Sequence, residues 1–118
     1  MKILVVDDSK LTRNMLALPL TRAGFEVLSA PDPHEAIGML AESKPDLVIT
    51  DLRMPNLNDG LGLLKMIALE DDDLPVVVYS AESGADEALG EVGLQRLTFL
   101  KKPVSANDLV RRVRAILQ

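Results

Sequence analysis

The sequence predicts an α/β fold: a single doubly wound five-stranded parallel sheet with helices on both faces. Five short apolar runs recur every 22 to 29 residues, beginning near Ile3, Phe25, Leu47, Val76 and Phe99. Each interval leaves room for one helix and two short loops, which is the spacing of repeated βα units. The first run, Ile3 to Val6, is aliphatic throughout, as is typical of a strand covered on both faces.

The composition indicates one soluble domain that spans residues 1–118. Apolar residues make up 47% of the chain, which is sufficient for a core at this length. Aromatic residues are only 3% and the net charge is −5, so direct binding to nucleic acid or to an anionic membrane surface is not expected. The chain shows no cysteine, no signal peptide and no apolar run near the ~20 residues of a membrane span, so we expect a cytoplasmic location.

Capping residues mark the boundaries of the predicted helices. Ser9, Asp32 and Ser105 are predicted to cap the first, second and last helices, and Gly24 to end the first. The apolar residues of the first helix that are predicted to face the core are Leu11, Met15, Leu16 and Leu18.

The other elements follow in order along the chain. Glu26 predicts an edge position for the second strand, residues 25–30, and the third strand is predicted to run from Leu47 to Asp51. Residues 56–60 are predicted as a polar loop before the third helix, and residues 70–73 as a solvated acidic loop, because no spacing of metal ligands is visible there. The fourth strand is predicted at residues 75–80 and the fifth at 98–101. Between them the fourth helix, about residues 85–92, is predicted to be weak because Gly90 and Gly93 lie close by.

Polar residues follow four of the five predicted strands: Asp7 and Asp8, Asp51, Ser80, and Lys102. The second strand carries no such residue. Because ligand sites in these sheets lie beyond the carboxyl ends of the strands, strands one, three, four and five should be central neighbours. The strand order 2-1-3-4-5 satisfies this condition and places a crevice between strands one and three.

Three carboxylates in one crevice repel one another unless a cation lies between them. The ligands would all be oxygen, because there is no cysteine and His34 lies in an exposed helix start. Hard oxygen ligands favour Mg²⁺ or Mn²⁺, and magnesium sites often bind a phosphate as well. Lys102 as a point charge and Ser80 as a hydroxyl donor suit a phosphoryl oxygen, and an aspartate that attacks phosphorus forms an acyl phosphate.

Four motifs resemble those of one known family, the CheY-like receiver domains of two-component response regulators: residues 3–9 (ILVVDDS), 51–55 (DLRMP), 79–81 (YSA) and 99–103 (FLKKP). The resemblance covers Lys2 to Leu117 and implies a flavodoxin-like fold. The function it implies is to accept a phosphoryl group in a phosphorelay, a role in signal transduction in which the chain is not a turnover enzyme.

The resemblance also implies roles for individual residues. Asp51 would accept the phosphoryl group from a phosphohistidine of a sensor histidine kinase or phosphotransfer protein. Asp8, Asp51 and the backbone carbonyl of Arg53 would bind Mg²⁺ directly, and Asp7 would bind it through water. Lys102 would pair with the phosphate, and the bond from Lys102 to the following proline would be cis.

The same resemblance implies a conformational switch. Ser80 would bond the new phosphoryl group and move toward it, and Phe99 would turn inward when Ser80 moves. The surface of the fourth helix, fifth strand and fifth helix would then change for a downstream target that the sequence does not identify. Pairing into a weak or phosphorylation-dependent dimer is left open.

A separate hypothesis concerns the lifetime of the phosphoryl group. Arg53 and Glu82 each lie two residues past a site residue, Asp51 and Ser80 respectively, and they carry opposite charges. If they pair over the mouth of the site, they would hinder an attacking water. The alternative is two solvated side chains, since a surface pair contributes only about 0–1 kcal/mol.

Other functions stay open at the level of sequence. A phosphatase of the haloacid dehalogenase type also uses Asp, Mg²⁺, Ser and Lys, but its first strand normally ends in Asp-x-Asp, whereas this one ends in Asp7-Asp8. A pseudo-receiver that docks without phosphorylation is disfavoured because the acidic set is complete. A dinucleotide-binding half-domain is disfavoured because the turn after the first strand contains no glycine.

Overall fold

The computed structural model describes residues 1–54, 57–81 and 89–118, and for residues 57 and 58 only the backbone. The strands are β1 (Lys2–Val6), β2 (Glu26–Ala30), β3 (Leu47–Thr50), β4 (Val76–Ser80) and β5 (Leu97–Lys101). They form one parallel sheet in the order β2-β1-β3-β4-β5, which confirms the predicted fold class, the strand order and the edge position of β2. β3 ends one residue before its predicted end, so Asp51 lies just past the strand.

The described part of the chain contains four helices: α1 (Lys10–Arg22), α2 (Pro33–Ser43), α3 (Leu57–Glu70) and the C-terminal helix (Ala106–Leu117). The predicted caps are confirmed, since the side chains of Ser9, Asp32 and Ser105 each accept a hydrogen bond from a backbone N–H of the following first turn. Gly24 has a φ of 101°, a left-handed conformation that glycine adopts without strain and that ends α1.

The sheet separates two apolar layers. α1 and the C-terminal helix cover one face, where the buried helical residues are Leu16, Leu20, Leu109 and Val113. α2 and α3 cover the other face. The apolar residues of β1, β3 and β4 alternate between the two layers, and this explains why each of these strands contains a continuous apolar run.

The predicted inner face of α1 is wrong at three of its four positions. Leu11, Met15 and Leu18 are 69%, 64% and 53% exposed, whereas Leu16 and Leu20 are buried. The helix carries two apolar stripes at helical spacing, and periodicity alone does not say which of them meets the sheet. The exposed stripe begins next to the carboxyl end of β1.

The predicted loop at residues 56–60 is wrong from Leu57 onward, because α3 already begins there, and residue 56 lies outside the described residues. Asp59 and Gly60 have low helix propensity, but an acid suits the first turn of a helix, and Gly60 has a packing role. Gly60 is buried, its N–H donates to the carbonyl of Leu52 over 3.0 Å, and a Cβ atom at this position would collide with the Leu52 backbone. The start of α3 is thereby held directly against the segment that follows Asp51.

Two further expectations concern the surface. Asp71, Asp72 and Asp73 are exposed, as predicted for a solvated acidic loop, and so is His34. Within the three described ranges, no helix has both the length and the apolar character needed to cross a bilayer.

We predict opposite effects for two glycine substitutions in α3. Gly60→Ala should lower the free energy of unfolding by about 1–3 kcal/mol, because the added methyl group meets the backbone of Leu52, which cannot move aside like a flexible side chain. Gly62→Ala is the matched control: Gly62 is exposed, its Cβ would meet nothing within 4 Å, and the change should stabilise the helix by about 0.5–1 kcal/mol. Urea denaturation of both variants checks this; equal stabilities would contradict the proposed contact.

Candidate functional site

Three residues just past the strand ends extend the hydrogen bonding of the sheet. The N–H of Asp7 donates to the carbonyl of Ala30 at the end of β2, over 3.2 Å. In the same way the N–H of Asp51 donates to Val6 over 3.1 Å, and the N–H of Lys102 donates to Ser80 over 3.0 Å. The backbones of these three site residues are therefore positioned by neighbouring strands, although the residues themselves lie outside the strands.

The ammonium group of Lys102 lies between the carboxylates of Asp51 and Asp7. Its Nζ is 2.8 Å from Oδ2 of Asp51 and 3.5 Å from Oδ2 of Asp7. The side chain of Asp7 is only 2% exposed, that of Asp51 is 12% exposed and that of Lys102 is 24% exposed. The structure thus brings together three of the residues that the sequence singled out, at one partly open edge of the sheet.

The carboxylate of Asp51 is held at both oxygens. Oδ1 accepts hydrogen bonds from the N–H groups of Leu52 and Arg53, over 2.6 and 3.4 Å, while Oδ2 accepts the one from Lys102. The hydroxyl of Thr50 donates to the backbone carbonyl of Asp51 over 2.9 Å. These contacts orient the carboxylate and leave it partly accessible, which is the condition for a group that reacts with an incoming molecule.

Asp7 is the buried member of the acidic group. Its Oδ1 accepts the N–H of Ser9 over 2.8 Å. Burial raises the pKa of the Asp7 carboxyl, and the charge of Asp51 adds to the rise, although the Ser9 N–H and the Lys102 ammonium oppose it. For Lys102, burial by itself lowers the pKa of the ammonium, but the hydrogen bond to Asp51 and the charges of the two carboxylates outweigh burial, and the pKa is raised. Lys102 therefore stays charged, and positive charge added near Asp7 would favour the ionised form of its carboxyl group.

Of the other predicted site residues, Asp8 and Ser80 lie at the same edge. Asp8 follows Asp7 directly and is exposed, and Ser80 is buried at the last position of β4. Phe99 in β5 is partly buried and packs against the apolar layer on the α2 and α3 face. The Arg53 side chain is exposed, whereas Glu82 lies outside the described residues. The Lys102–Pro103 bond is cis, as the resemblance implied.

The chemistry of the donor set fits a small divalent cation with oxygen ligands. Asp7, Asp8 and Asp51 offer carboxylates at adjacent strand ends, and hard oxygen donors of this kind suit Mg²⁺. Among the described residues, no three side chains of His, Cys, Asp or Glu lie close enough together to form a ready-made cage. Magnesium sites usually keep several waters and use only one or two carboxylates, so a donor set without a cage is compatible with this ion.

Two residues that contact the backbone of the site aspartates were not singled out from the sequence: Arg13 and Thr50. Arg13 in α1 donates from Nη1 to the backbone carbonyl of Asp7 over 2.7 Å. A cation in the first turn of a helix is electrostatically unfavourable, and this was the signal that could have revealed Arg13.

We predict that Asp7→Asn stabilises the metal-free protein near neutral pH, by about 1 kcal/mol in the free energy of unfolding. The asparagine keeps an oxygen that can accept the Ser9 N–H, and it removes a buried charge. A carboxyl whose folded-state pKa lies above the unfolded value favours folding while protonated and loses that contribution as pH rises through the folded-state pKa. The advantage of the variant should therefore shrink as pH falls.

Urea denaturation at about pH 7 and about pH 4 measures this effect. Asp8→Asn removes the same charge from the exposed neighbouring residue and should change the stability less. An Asp7→Asn variant less stable than the parent near neutral pH would show that the contact with Lys102 outweighs the burial of Asp7.

Comparisons with known proteins agree with this geometry. The profile of the family described as response regulator receiver domain matches residues 3–114. Among curated proteins, response regulator MprA of Mycobacterium avium (strain 104) is 36% identical over 118 residues, which is all of this chain and 51% of that protein. Response regulator MprA of Mycobacterium leprae (strain TN) is 35% identical over 118 residues, again all of this chain and 51% of that protein. The chain thus spans about half the length of the curated relatives it matches.

Solved structures give the same result. The chemotaxis protein CheY4 of Vibrio cholerae superposes with a TM-score of 0.87 at 26% identity, over 98% of each chain. The receiver domain of NtrX from Brucella abortus superposes with a TM-score of 0.84 at 32% identity, over 98% of this chain and 97% of that one. Sequence profile, relatives and fold agree, and the chain therefore belongs to the receiver domain family of two-component response regulators.

Proposed function

We propose that this receiver domain accepts a phosphoryl group on Asp51 in a His-to-Asp phosphorelay. The observation that carries the proposal is the contact of 2.8 Å between Lys102 Nζ and Asp51 Oδ2. A partly exposed carboxylate with one oxygen on backbone N–H groups and the other on a cation is oriented for attack, and positive charge is already in place for an incoming phosphoryl group. Phosphoryl transfer needs little from a protein beyond such positioning and charge neutralisation.

In the proposed reaction one carboxylate oxygen of Asp51 forms a bond to phosphorus while the bond from phosphorus to the donor nitrogen breaks. The electron pair of that bond stays on the imidazole of the donor, and the product is an acyl phosphate. Lys102 offsets the charge on the phosphoryl oxygens throughout. Asp7, Asp8, Asp51 and the backbone carbonyl of Arg53 would hold Mg²⁺, whose chemistry when bound is to neutralise phosphoryl charge.

We further propose that Ser80 and Phe99 form the switch. The new group adds about 1.5 to 2 negative charges beside the buried hydroxyl of Ser80, which can donate to a phosphoryl oxygen. Phe99 is only partly buried and sits in β5, hydrogen-bonded to β4, so it can respond when Ser80 moves. The output would be the surface that includes β5, the C-terminal helix and the predicted fourth helix, whose residues 85–88 lie outside the described part of the chain.

The partners follow from the same proposal. The phosphoryl donor would be a cytoplasmic sensor histidine kinase or phosphotransfer protein. The exposed residues Met15 and Leu18 of α1 line a groove of about 1180 Å³ between α1 and the C-terminal helix. Pro103, next to the site lysine, also lines this groove. An apolar surface beside the acceptor is a suitable dock for such a donor. The downstream target is unassigned, and pairing into a phosphorylation-dependent dimer remains part of the proposal.

Incubation with Mg²⁺ and acetyl phosphate, followed by mass spectrometry of the intact protein, tests the assignment. We expect the mass to rise by one phosphoryl group, and the rise to disappear in Asp51→Asn because the acceptor carboxylate is gone. Asp73→Asn is the matched control, since it makes the same change at an exposed aspartate away from the site and should retain the full mass gain.

The same incubation separates the alternatives. Continuous release of inorganic phosphate far beyond one equivalent, as in a phosphatase of the haloacid dehalogenase type, would contradict a non-turnover receiver. A folded protein that gains no mass would indicate a docking module that works without phosphorylation.

The lifetime of the phosphoryl group tests the proposed roles of Arg53 and Glu82. If the two side chains pair over the site, Arg53→Ala and Glu82→Ala should each shorten the half-life by up to about fivefold, the range of a surface ion pair. The measurement is loss of the acyl phosphate after the donor is removed. Unchanged decay in both variants would exclude the pairing.

A further inference from the structure

Tyr79 contacts the segment that carries Lys102 at two points. It is the next-to-last residue of β4 and is 8% exposed. The Nζ atom of Lys102 lies 5.3 Å from the centroid of its ring, and its hydroxyl accepts a hydrogen bond from the N–H of Val104 over 3.3 Å. None of the interactions of the site described so far uses this side chain.

The hydrogen bond to the Tyr79 hydroxyl fixes the backbone around Lys102. Pro103 has no N–H to donate, so the hydrogen bonds of its two neighbours hold the segment. The N–H of Lys102 donates to the carbonyl of Ser80, and the N–H of Val104 donates to the hydroxyl of Tyr79. The last two residues of β4 therefore bind the chain on both sides of the proline.

The contact with the Tyr79 ring acts on the side chain of Lys102. A lysine has a flexible stem with about 2 kcal/mol of rotamer entropy, so two carboxylates do not by themselves keep its ammonium in one place. A distance of 5.3 Å from a tyrosine centroid is within the range of a cation–π interaction. The ring thus supplies a third favourable contact to the ammonium group, in addition to those with Asp7 and Asp51.

We propose that Tyr79 is a positioning residue that holds the ammonium of Lys102 at the place where it meets Asp51 and an incoming phosphoryl group. Tyr79 itself touches no reacting atom. The kinetic part of this proposal rests on the proposed phosphorylation of Asp51, whereas the geometric part concerns the resting protein alone. The two parts can therefore be tested separately.

The geometric part is measured by NMR on the metal-free protein. A ring near the end of the lysine should shift the resonances of its Cε protons upfield. Tyr79→Phe keeps the ring and should keep this shift, whereas Tyr79→Leu should abolish it. Val77→Ala is the matched control, because Val77 points from the same strand into the same apolar layer as Tyr79 and is paired with Thr98, four positions before Lys102. It should leave the shift unchanged.

The kinetic part uses phosphorylation by acetyl phosphate at saturating Mg²⁺. Tyr79→Leu should slow the reaction about threefold to tenfold, the range expected for loss of a partly desolvated cation–π contact, while Tyr79→Phe should stay within about twofold of the parent. In a Lys102→Ala background, Tyr79→Leu should have almost no further effect, because the group that it positions is absent. Should Tyr79→Leu fail to fold, Tyr79→Met keeps the apolar volume without the aromatic face.

Each outcome has a definite meaning. Equal slowing by Tyr79→Leu in the parent and in the Lys102→Ala background, or equal slowing by Val77→Ala, would show a packing effect and overturn the proposal. A parent-like rate in Tyr79→Leu, together with a lysine resonance that keeps the same upfield position as in the parent, would overturn it as well. Absence of phosphorylation in the parent itself would contradict the proposed function, and the NMR comparison would still decide the positioning role.

Discussion

The parallel pairing of the five strands is the constraint on which the candidate site depends. Parallel neighbours place their carboxyl ends at the same edge, so residues far apart in the chain come together there. Lys102 and Asp7 are 95 positions apart in sequence and yet share a contact. The pairing extends past the strands, because the N–H groups of Asp7, Asp51 and Lys102 each donate to a carbonyl at the end of an adjacent strand. A one-residue slip in β1, β3, β4 or β5 would turn the site residue at its carboxyl end away from the crevice.

The electrostatics of the edge follow from this placement. Grouping carboxylates at low exposure is unfavourable unless positive charge is close, and in this structure Lys102 supplies that charge to both Asp7 and Asp51. The two carboxylates differ in their surroundings: Asp51 lies closer to the Lys102 ammonium and is more exposed, whereas Asp7 is buried. This difference suits a division of roles in which Asp51 reacts and Asp7 contributes charge, as the proposed function requires.

Much of the fold was predictable because it rests on local signals. Apolar runs at regular spacing predicted the strands, side-chain caps such as Ser9 and Asp32 predicted the helix starts, and the polar strand ends predicted the strand order. The predictions failed where a local pattern allows two answers. α1 carries two apolar stripes, and only packing against the sheet decides that Leu16 and Leu20 are buried while Leu11 and Met15 are exposed. The start of α3 depends on the contact of Gly60 with Leu52, and helix propensities of single residues do not predict such a contact.

The site shows the same division. The residues proposed to carry the chemistry stand at strand ends and were predictable from that position, whereas the residues that hold them in place were not. Thr50 and Arg13 donate hydrogen bonds to the backbone carbonyls of Asp51 and Asp7 respectively. Because every residue has a backbone carbonyl, the sequence does not show which of them accepts such a bond. The ring of Tyr79 contacts a lysine 23 positions later in the chain, and its hydroxyl accepts a hydrogen bond from Val104. Only the tertiary structure defines the directions of the ring and the hydroxyl.

The position of Tyr79 has a practical consequence for anyone who studies this protein in solution. The chain contains one tyrosine and no tryptophan, so its intrinsic fluorescence above the phenylalanine background comes from this single residue. That residue lies 5.3 Å from the ammonium of the site lysine. The protein therefore carries a native optical reporter at the edge of the sheet that holds Asp51, and emission intensity can be used to follow cation binding or the proposed phosphorylation of Asp51 without attaching a dye.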